Sequence, residues 1–267
     1  MLFTEESILT HRFADQESLM FRFPDVHADL DQDEEWFELL MDGDWRRLRL
    51  HDYGRIYDVP GLYEALFYRT LRCCSPRWCV QVFADVLTQH RQPADALRVF
   101  DVGAGNGMVG EQMWNLGAEC LVGIDIIEEA RHAALRDRTH VYADYLVEDL
   151  TDLPEDVERR IRHHRLNCMT CVAALGYGDI PAAAFLKALD LLETPAWLAF
   201  NIKEDFLYEA DRTGFGRLID ELRADRIIRL EAYRRYRHRL SISGKPLHYV
   251  AMVARKVRDL DDEWTSP

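Results

Sequence analysis

The hydrophobic pattern is sharpest between residues 97 and 125. Leu97 to Val102 (LRVFDV) is an apolar run of strand length, and it ends in Gly103-Ala104-Gly105-Asn106-Gly107. Apolar Met108, Val109, Met113 and Leu116 follow at helical spacing, and a second apolar run, Cys120 to Ile124, ends on Asp125. A short apolar run bounded by turn residues reads as a buried strand. Joined through glycines to an amphipathic helix, it reads as the first half of a nucleotide-binding α/β unit. The alternation continues downstream. Helices are predicted over 128–135, 154–164, 181–192 and 215–223, strands over 145–147, 166–175 and 197–202, and a closing hairpin over 226–240 and 247–257. Such alternation predicts a parallel sheet with helices on both faces, with ligands at the carboxyl ends of the strands.

Upstream of residue 94 the pattern changes. EEWFELLM (34–41) reads as a short helix closed by Asp42-Gly43, and HDYGRIYDVPG (51–61) is turn-rich and aromatic. Leu62 to Arg72 is apolar at helical spacing. Ser75-Pro76 is a strong helix start, with Trp78, Val82, Phe83, Val86 and Leu87 on one side of a helix that Gln92-Pro93 ends. There is no internal repeat and no low-complexity linker. The chain therefore divides into an acidic, mainly helical N-terminal cap (1–93), an α/β core (94–258) and a short tail (259–267).

The glycines of the 103–107 loop let the backbone turn sharply and approach a ligand where a Cβ would collide. Asp125, 18 residues past Gly107, can accept hydrogen bonds from both hydroxyls of a ribose. The dinucleotide fingerprint is G-x-G-x-x-G, with a helix N-terminus facing a pyrophosphate. Here the last glycine comes one residue early, and Met108 stands where that fingerprint has glycine. Asp101 adds a carboxylate just before the loop, which would repel a pyrophosphate and attract an ammonium group.

Asp101 to Gly107, an acid, one residue and then G-x-G-x-G behind an apolar run, resembles the first motif of the class I S-adenosylmethionine-dependent methyltransferases. The resemblance covers residues 97–257. It implies a seven-stranded, mostly parallel Rossmann-like sheet, with S-adenosyl-L-methionine as cofactor and S-adenosyl-L-homocysteine as product. It also implies that Asp101, Gly103, Ala104, Gly105, Asn106, Gly107, Asp125 and Ile126 hold that cofactor. Asp149-Leu150, after the third core strand, would flank the adenine, with Asp144 as the competing acid. After the fourth strand the family's loop lies beside the transferred methyl group. Here it reads Leu175-Gly176-Tyr177-Gly178-Asp179, so Tyr177 or Asp179 would touch substrate, and Asp179 equally suits a helix cap. Asn167 departs from the pattern, since many members carry an acid at the start of that strand.

Methyl transfer is an in-line displacement in which orientation carries much of the rate. An oxygen nucleophile usually needs a base, whereas a thiolate or free amine need not. His51, Tyr53 and Tyr57, in the segment where the family places substrate-contacting elements, and His248 on the last strand are the candidates, with Tyr177 expected to orient the acceptor. Cys168-Met169-Thr170-Cys171 is not a metal motif, because in a strand its two sulfurs face opposite sides and no matching pair completes four ligands.

Composition narrows the partners. The chain of 267 residues is 48% hydrophobic, enough for a sizeable core, and holds no stretch of about 18 uninterrupted apolar residues. The first residues, MLFTEESILTHRF, carry early acids and no basic region, so no secretory signal is read there, and six cysteines without one are expected to be free thiols in a reducing cytoplasm. The net charge of −14 argues against nucleic acid. Residues 1–44 carry −11 of it, which fits either a solvated leader or an acidic lid for a cationic substrate. The six arginines of 226–239 read as an exposed edge strand. The resulting expectation is a cytoplasmic methyltransferase acting on a small organic molecule, monomeric or homodimeric, with no metal, nucleic-acid or membrane partner. A protein or RNA methyltransferase and a non-catalytic S-adenosylmethionine-binding module are the alternatives. The Asn/Asp-Pro-Pro-Tyr signature of many amine and base methylators is absent, and ALGYGD stands in its place.

Overall fold

The computed structural model describes residues 9–13, 16–24, 30–175, 180–207, 214–261 and 264, with side chains from residue 19 onward. By compactness the chain forms two units, residues 1–74 with 237–247, and residues 75–236 with 248–267. The first therefore holds most of the segment assigned above to a cap, without the helix that begins at Ser75.

The first unit carries a four-stranded antiparallel sheet in the order β1 (Leu9–Phe13), β2 (Gln16–Arg22), β3 (Trp36–Met41) and β4 (Asp44–Arg49). The short helix α1 (Tyr53–Tyr57) and a π-helical turn over Glu64–Thr70 follow. This corrects the expectation of a mainly helical cap and of a helix over 34–41. Along β3 the side chains alternate, Phe37 and Leu39 buried, Trp36, Glu38 and Leu40 half-buried. That is the two-residue period of a strand with one face on a core. Asp42 and Gly43 both take positive φ, 55° and 87°, the primed turn that matches strand twist and joins a tight hairpin. Phe21, Phe37, Leu39, Leu48, Ile56 and Leu66 share one core.

The second unit begins with α2 (Ser75–Gln89) and continues through β5 (Arg98–Val102), α3 (Met108–Leu116), β6 (Cys120–Asp125), α4 (Glu128–Asp137), β7 (Asp144–Val147) and α5 (Glu155–His163). It then runs through β8 (Cys168–Cys171), α6 (Ala182–Asp190), β9 (Ala196–Lys203), α7 (Phe215–Ala224), β10 (Ile228–Leu240) and β11 (Pro246–Lys256). These elements match the sequence expectation in kind and order. The sheet has seven strands in the order β10-β11-β9-β8-β5-β6-β7. Pairing is parallel from β9 through β8, β5 and β6 to β7, and β11 runs antiparallel to β9. The order reverses at β5, the position at which open α/β sheets bind ligands beyond the carboxyl ends of their strands.

Consecutive residues on β9 display the two faces. Trp197 meets Phe83 of α2, with ring centroids 6.1 Å apart. Leu198 lies in the core that Ile161 of α5, Phe185 of α6 and Phe215 of α7 share with Phe100 and Val122. Arg229, Arg234, Arg235 and Arg237 are exposed on β10, an edge strand, where charge deters pairing with another sheet. No helix among the described residues is long and apolar enough to cross a membrane.

Candidate functional site

The strand ends of the second unit bring the motif residues together. Register pairs Asp101 with Gly123 on β6 and with Thr170 on β8. Past β5 the chain turns back over the sheet, and the Gly103 and Ala104 N–H groups both donate to the Ile124 carbonyl at 3.0 Å. At Gly105 the backbone takes φ of 54°. Its N–H donates to Asp125 Oδ2 at 2.8 Å, while its carbonyl accepts from the Tyr145 hydroxyl at 2.6 Å. Arg138 Nη1 donates to the Asn106 carbonyl at 2.9 Å. The loop then enters α3 through Gly107, whose φ is 88°. Both peptide faces of the loop are thus tied to side chains from β6 and from the 138–145 segment.

Asp125 has a second partner, the Ile127 N–H, which donates to Oδ1 at 3.1 Å. Each oxygen keeps acceptor capacity for a ribose hydroxyl. Burial pushes Asp125 up, against the lowering effect of the Gly105 and Ile127 N–H groups. Ile126 follows at 64% exposure, an apolar side chain held open at the strand end. The Glu148 N–H donates to the Asp125 carbonyl at 3.0 Å, which sets residues 148–150 beside that strand end. Leu150 is buried there, and Asp149 is exposed, its Oδ1 accepting from the Thr151 N–H and hydroxyl, which hold it below the usual carboxylate range. The competing acid, Asp144, pairs with Arg160 and His164 at the other end of β7. By position Asp149 is therefore the acid near the glycine loop.

Asp101 is 1% exposed. The Tyr142 hydroxyl donates to its Oδ2 at 2.7 Å and the Thr170 hydroxyl to its Oδ1 at 2.6 Å. Burial, only partly offset by those hydrogen bonds, pushes its carboxyl up to about 6 from an ordinary value near 3.8. Between about pH 4 and pH 6 the folded protein holds a proton that the unfolded chain has released. Stability of the ligand-free protein from this group is therefore full below that window, falls as pH rises through it, and is level above. Asp101→Asn is expected to lack the fall, a difference of about 3 kcal/mol between acid and neutral pH. Denaturant titrations of both proteins at pH 4, 5, 6 and 7.5 check it, and parallel pH profiles would contradict it.

The loop after β8 is anchored on both sides of residues 176–179. Asn201 Oδ1, buried on β9, accepts from the Ala173 N–H at 2.6 Å, holding a residue with φ of 59°. Asn201 Nδ2 donates to the Tyr236 hydroxyl at 2.6 Å. Leu175 and Ile180 form a bridge. A Cβ on Gly103 would lie 2.9 Å from both Ala174 and Ile180, so only glycine fits where this loop meets the glycine loop. Tyr177 and Asp179 themselves lie outside the described residues.

His51 and Tyr57 belong to the first unit. Burial and then the charge of Arg239 push the His51 imidazole below its usual range, so it is neutral at pH 7. Tyr57 is buried, its ring stacked on Tyr53 at 6.1 Å and tilted against Tyr63 at 5.0 Å. Arg138, Tyr142, Tyr145, Thr170 and Asn201 escaped the sequence reading. Thr170 gave no signal of its own, because its place opposite Asp101 is set by the register of β8 on β5. Gly110 and Gly123, glycines inside a helix and a strand, signalled that something large packs against them. Among the described residues no group of three or more His, Cys, Asp or Glu side chains converges on a metal position.

The residues present suit an adenosyl cofactor with a cationic end: a tight turn with glycine at 103, 105 and 107, a carboxylate at the end of β6, apolar Ile126 and Leu150 near it, and the buried acid Asp101. No protein-family model matches the chain, and no curated protein matches it. Solved structures do. The N-methyltransferase NodS from Bradyrhizobium japonicum WM9, in complex with S-adenosyl-L-homocysteine, is 11% identical with a TM-score of 0.53, over 77% of this chain and 97% of that one. Magnesium protoporphyrin IX methyltransferase from Synechocystis PCC 6803, with bound S-adenosylmethionine, is 15% identical with a TM-score of 0.47, over 68% and 79%. The likeness to the former places the chain in the class I methyltransferase fold.

Proposed function

We propose that this protein is an S-adenosylmethionine-dependent methyltransferase acting on a small organic molecule. The observation that carries the reading is Asp125, which fixes the glycine loop through the Gly105 N–H and stands beside residues 148–150 at one sheet end. In this reading the backbone of Gly103, Ala104, Gly105, Asn106 and Gly107 lies along the methionyl and ribosyl parts of the cofactor. Asp101 supplies negative charge toward its ammonium. Asp125 accepts from the ribose hydroxyls. Ile126 and Leu150 enclose the adenine, and Asp149 accepts from its exocyclic amine. When bound, the cofactor supplies an electrophilic methyl group on a sulfonium.

Residues 1–93 are proposed to select the acceptor molecule. Tyr53, Tyr57, Tyr63, Phe67 and Tyr68 form a continuous aromatic cluster that suits a planar organic substrate. His51, neutral at pH 7, can take a proton from an oxygen nucleophile. Tyr57 is proposed to shape the aromatic wall, and Tyr177 to orient the acceptor beside the methyl group.

Calorimetry with S-adenosylmethionine and S-adenosylhomocysteine tests the cofactor. Transfer of labelled methyl to components of a metabolite extract tests the reaction. Binding of both ligands and a labelled small product are expected. No binding of either ligand overturns the reading, and binding without any transfer leaves a sensing module. With the labelled acceptor identified, Tyr177→Ala is expected to lower kcat about ten-fold, equal to about 1.4 kcal/mol of transition-state stabilisation, with cofactor affinity unchanged. Full turnover in that variant would remove Tyr177 from the site.

A further inference from the structure

Resting on the cofactor reading above, we infer that Tyr142 is a positioning residue of the cofactor site: seated in a slot between three glycines, it holds and keeps ionised the buried Asp101 carboxylate beneath the glycine loop. Tyr142 comes from the connection between α4 and β7, not from the motif. A Cβ on Gly110 of α3 would overlap its hydroxyl, one on Gly123 of β6 would lie 3.0 Å from its ring, and one on Gly107 would lie 3.1 Å from it. Gly110 and Gly123 do not take positive φ, so their backbones do not require glycine. Glycine inside a helix or strand weakens it. Both positions give up that stability to admit one ring. The slot ends where the hydroxyl reaches Asp101 Oδ2 at 2.7 Å. Tyr145 packs edge-on against the Tyr142 ring, with centroids 5.2 Å apart, and its own hydroxyl holds the Gly105 carbonyl. One aromatic pair therefore ties the acid and the loop together.

The charge of Asp101 depends on these donors. Among the described residues no cation pairs with it. The Thr170 and Tyr142 hydroxyls and the Gly110 N–H favour its ionised form, while burial and Asp125 on β6 oppose it. Facing it also are Tyr145 on β7 and Cys168 and Cys171 on β8, all pushed up by burial and so neutral through the neutral range, and Arg138, which acts on Tyr142. Removing the Tyr142 hydroxyl removes a donor to the carboxylate. Asp101 then holds its proton to higher pH, and a cationic ligand meets a neutral acid.

The experiment uses the full chain in wild-type, Tyr142→Phe, Thr170→Val and Asp101→Asn forms. Carboxyl-carbon NMR of the ligand-free proteins follows titration from pH 4.5 to 8.5. Calorimetry with S-adenosylmethionine and S-adenosylhomocysteine follows affinity over pH 5.5–8.5. In wild type a carboxyl titrating near pH 6 is expected, absent from Asp101→Asn, with cofactor affinity rising through the same window. Tyr142→Phe keeps the ring in its slot and is expected to move both midpoints up by one to two pH units, the scale of a hydrogen bond to a charged group. Thr170→Val, from the opposite side, is expected to move them the same way. An unchanged midpoint in Tyr142→Phe, or a loss of affinity equal at every pH, overturns the inference. Wild-type protein that titrates as described but binds neither ligand overturns the cofactor reading and leaves the Tyr142–Asp101 coupling standing.

Discussion

Gly105→Val is expected to abolish binding of S-adenosylmethionine, with a loss of at least about 100-fold, equivalent to about 2.7 kcal/mol, while the sheet stays folded. Gly105 takes φ of 54°, a left-handed conformation that strains a β-branched residue by on the order of 1–3 kcal/mol. Relief of that strain moves a peptide held on both sides, by Asp125 Oδ2 on its N–H and by the Tyr145 hydroxyl on its carbonyl. Either outcome harms the cradle. If the loop stays, two methyl groups occupy space beside the cofactor. If it moves, the hydrogen bonds that pre-form it are lost. Calorimetry checks the affinity, and circular dichroism with thermal melting checks the fold. Wild-type affinity in folded Gly105→Val protein would remove the loop from the cofactor site.

The second large effect is at Asp125. Its carboxylate accepts from the Gly105 and Ile127 N–H groups, and in the proposed site it would also accept from the ribose hydroxyls. Asp125→Ala removes both. Leaving a buried N–H unsatisfied costs about 1–3 kcal/mol, and the lost ribose contacts are of similar size. The first cost weakens the loop with or without ligand, so cofactor affinity is expected to fall by the second, about 1–3 kcal/mol, roughly 5- to 150-fold. Asp125→Asn keeps one oxygen for one of the two N–H groups and should lose less. Titration of both variants with S-adenosylhomocysteine distinguishes them. If Asp125→Ala binds as tightly as wild type, the ribose assignment is wrong and Asp125 serves the loop alone.

The aromatic cluster and the N-terminal sheet share one core, since Phe21, Phe37 and Leu39 belong with Phe67 to a cluster against which Tyr53, Tyr63 and Tyr68 pack. Removing residues 1–44 would take out three of those side chains together. A substrate role for this unit is therefore better probed by single changes such as His51→Ala than by truncation.

The sequence by itself determined whatever is set by short-range backbone and solvent demands. The acid-glycine motif was legible because each of its residues answers a local need, and the structure places Gly103, Gly105 and Gly107 at positive φ. The order of strands and helices from residue 75 onward was legible because buried parallel strands read as apolar runs and their helices as amphipathic ones. Residues 36–41 were misread because six residues with apolar side chains at five positions satisfy both periods. Only pairing with β2 and β4 selects the strand. The choice between Asp144 and Asp149 was open in the sequence and depended on which end of β7 each occupies. Tyr142 on Asp101, Tyr145 on Gly105, Thr170 opposite Asp101 and Asn201 on Ala173 were decided by the tertiary structure alone. They join residues 28 to 69 positions apart in the chain. A side chain's partner at that separation depends on strand order and register, which no local pattern of hydrophobic and polar residues encodes.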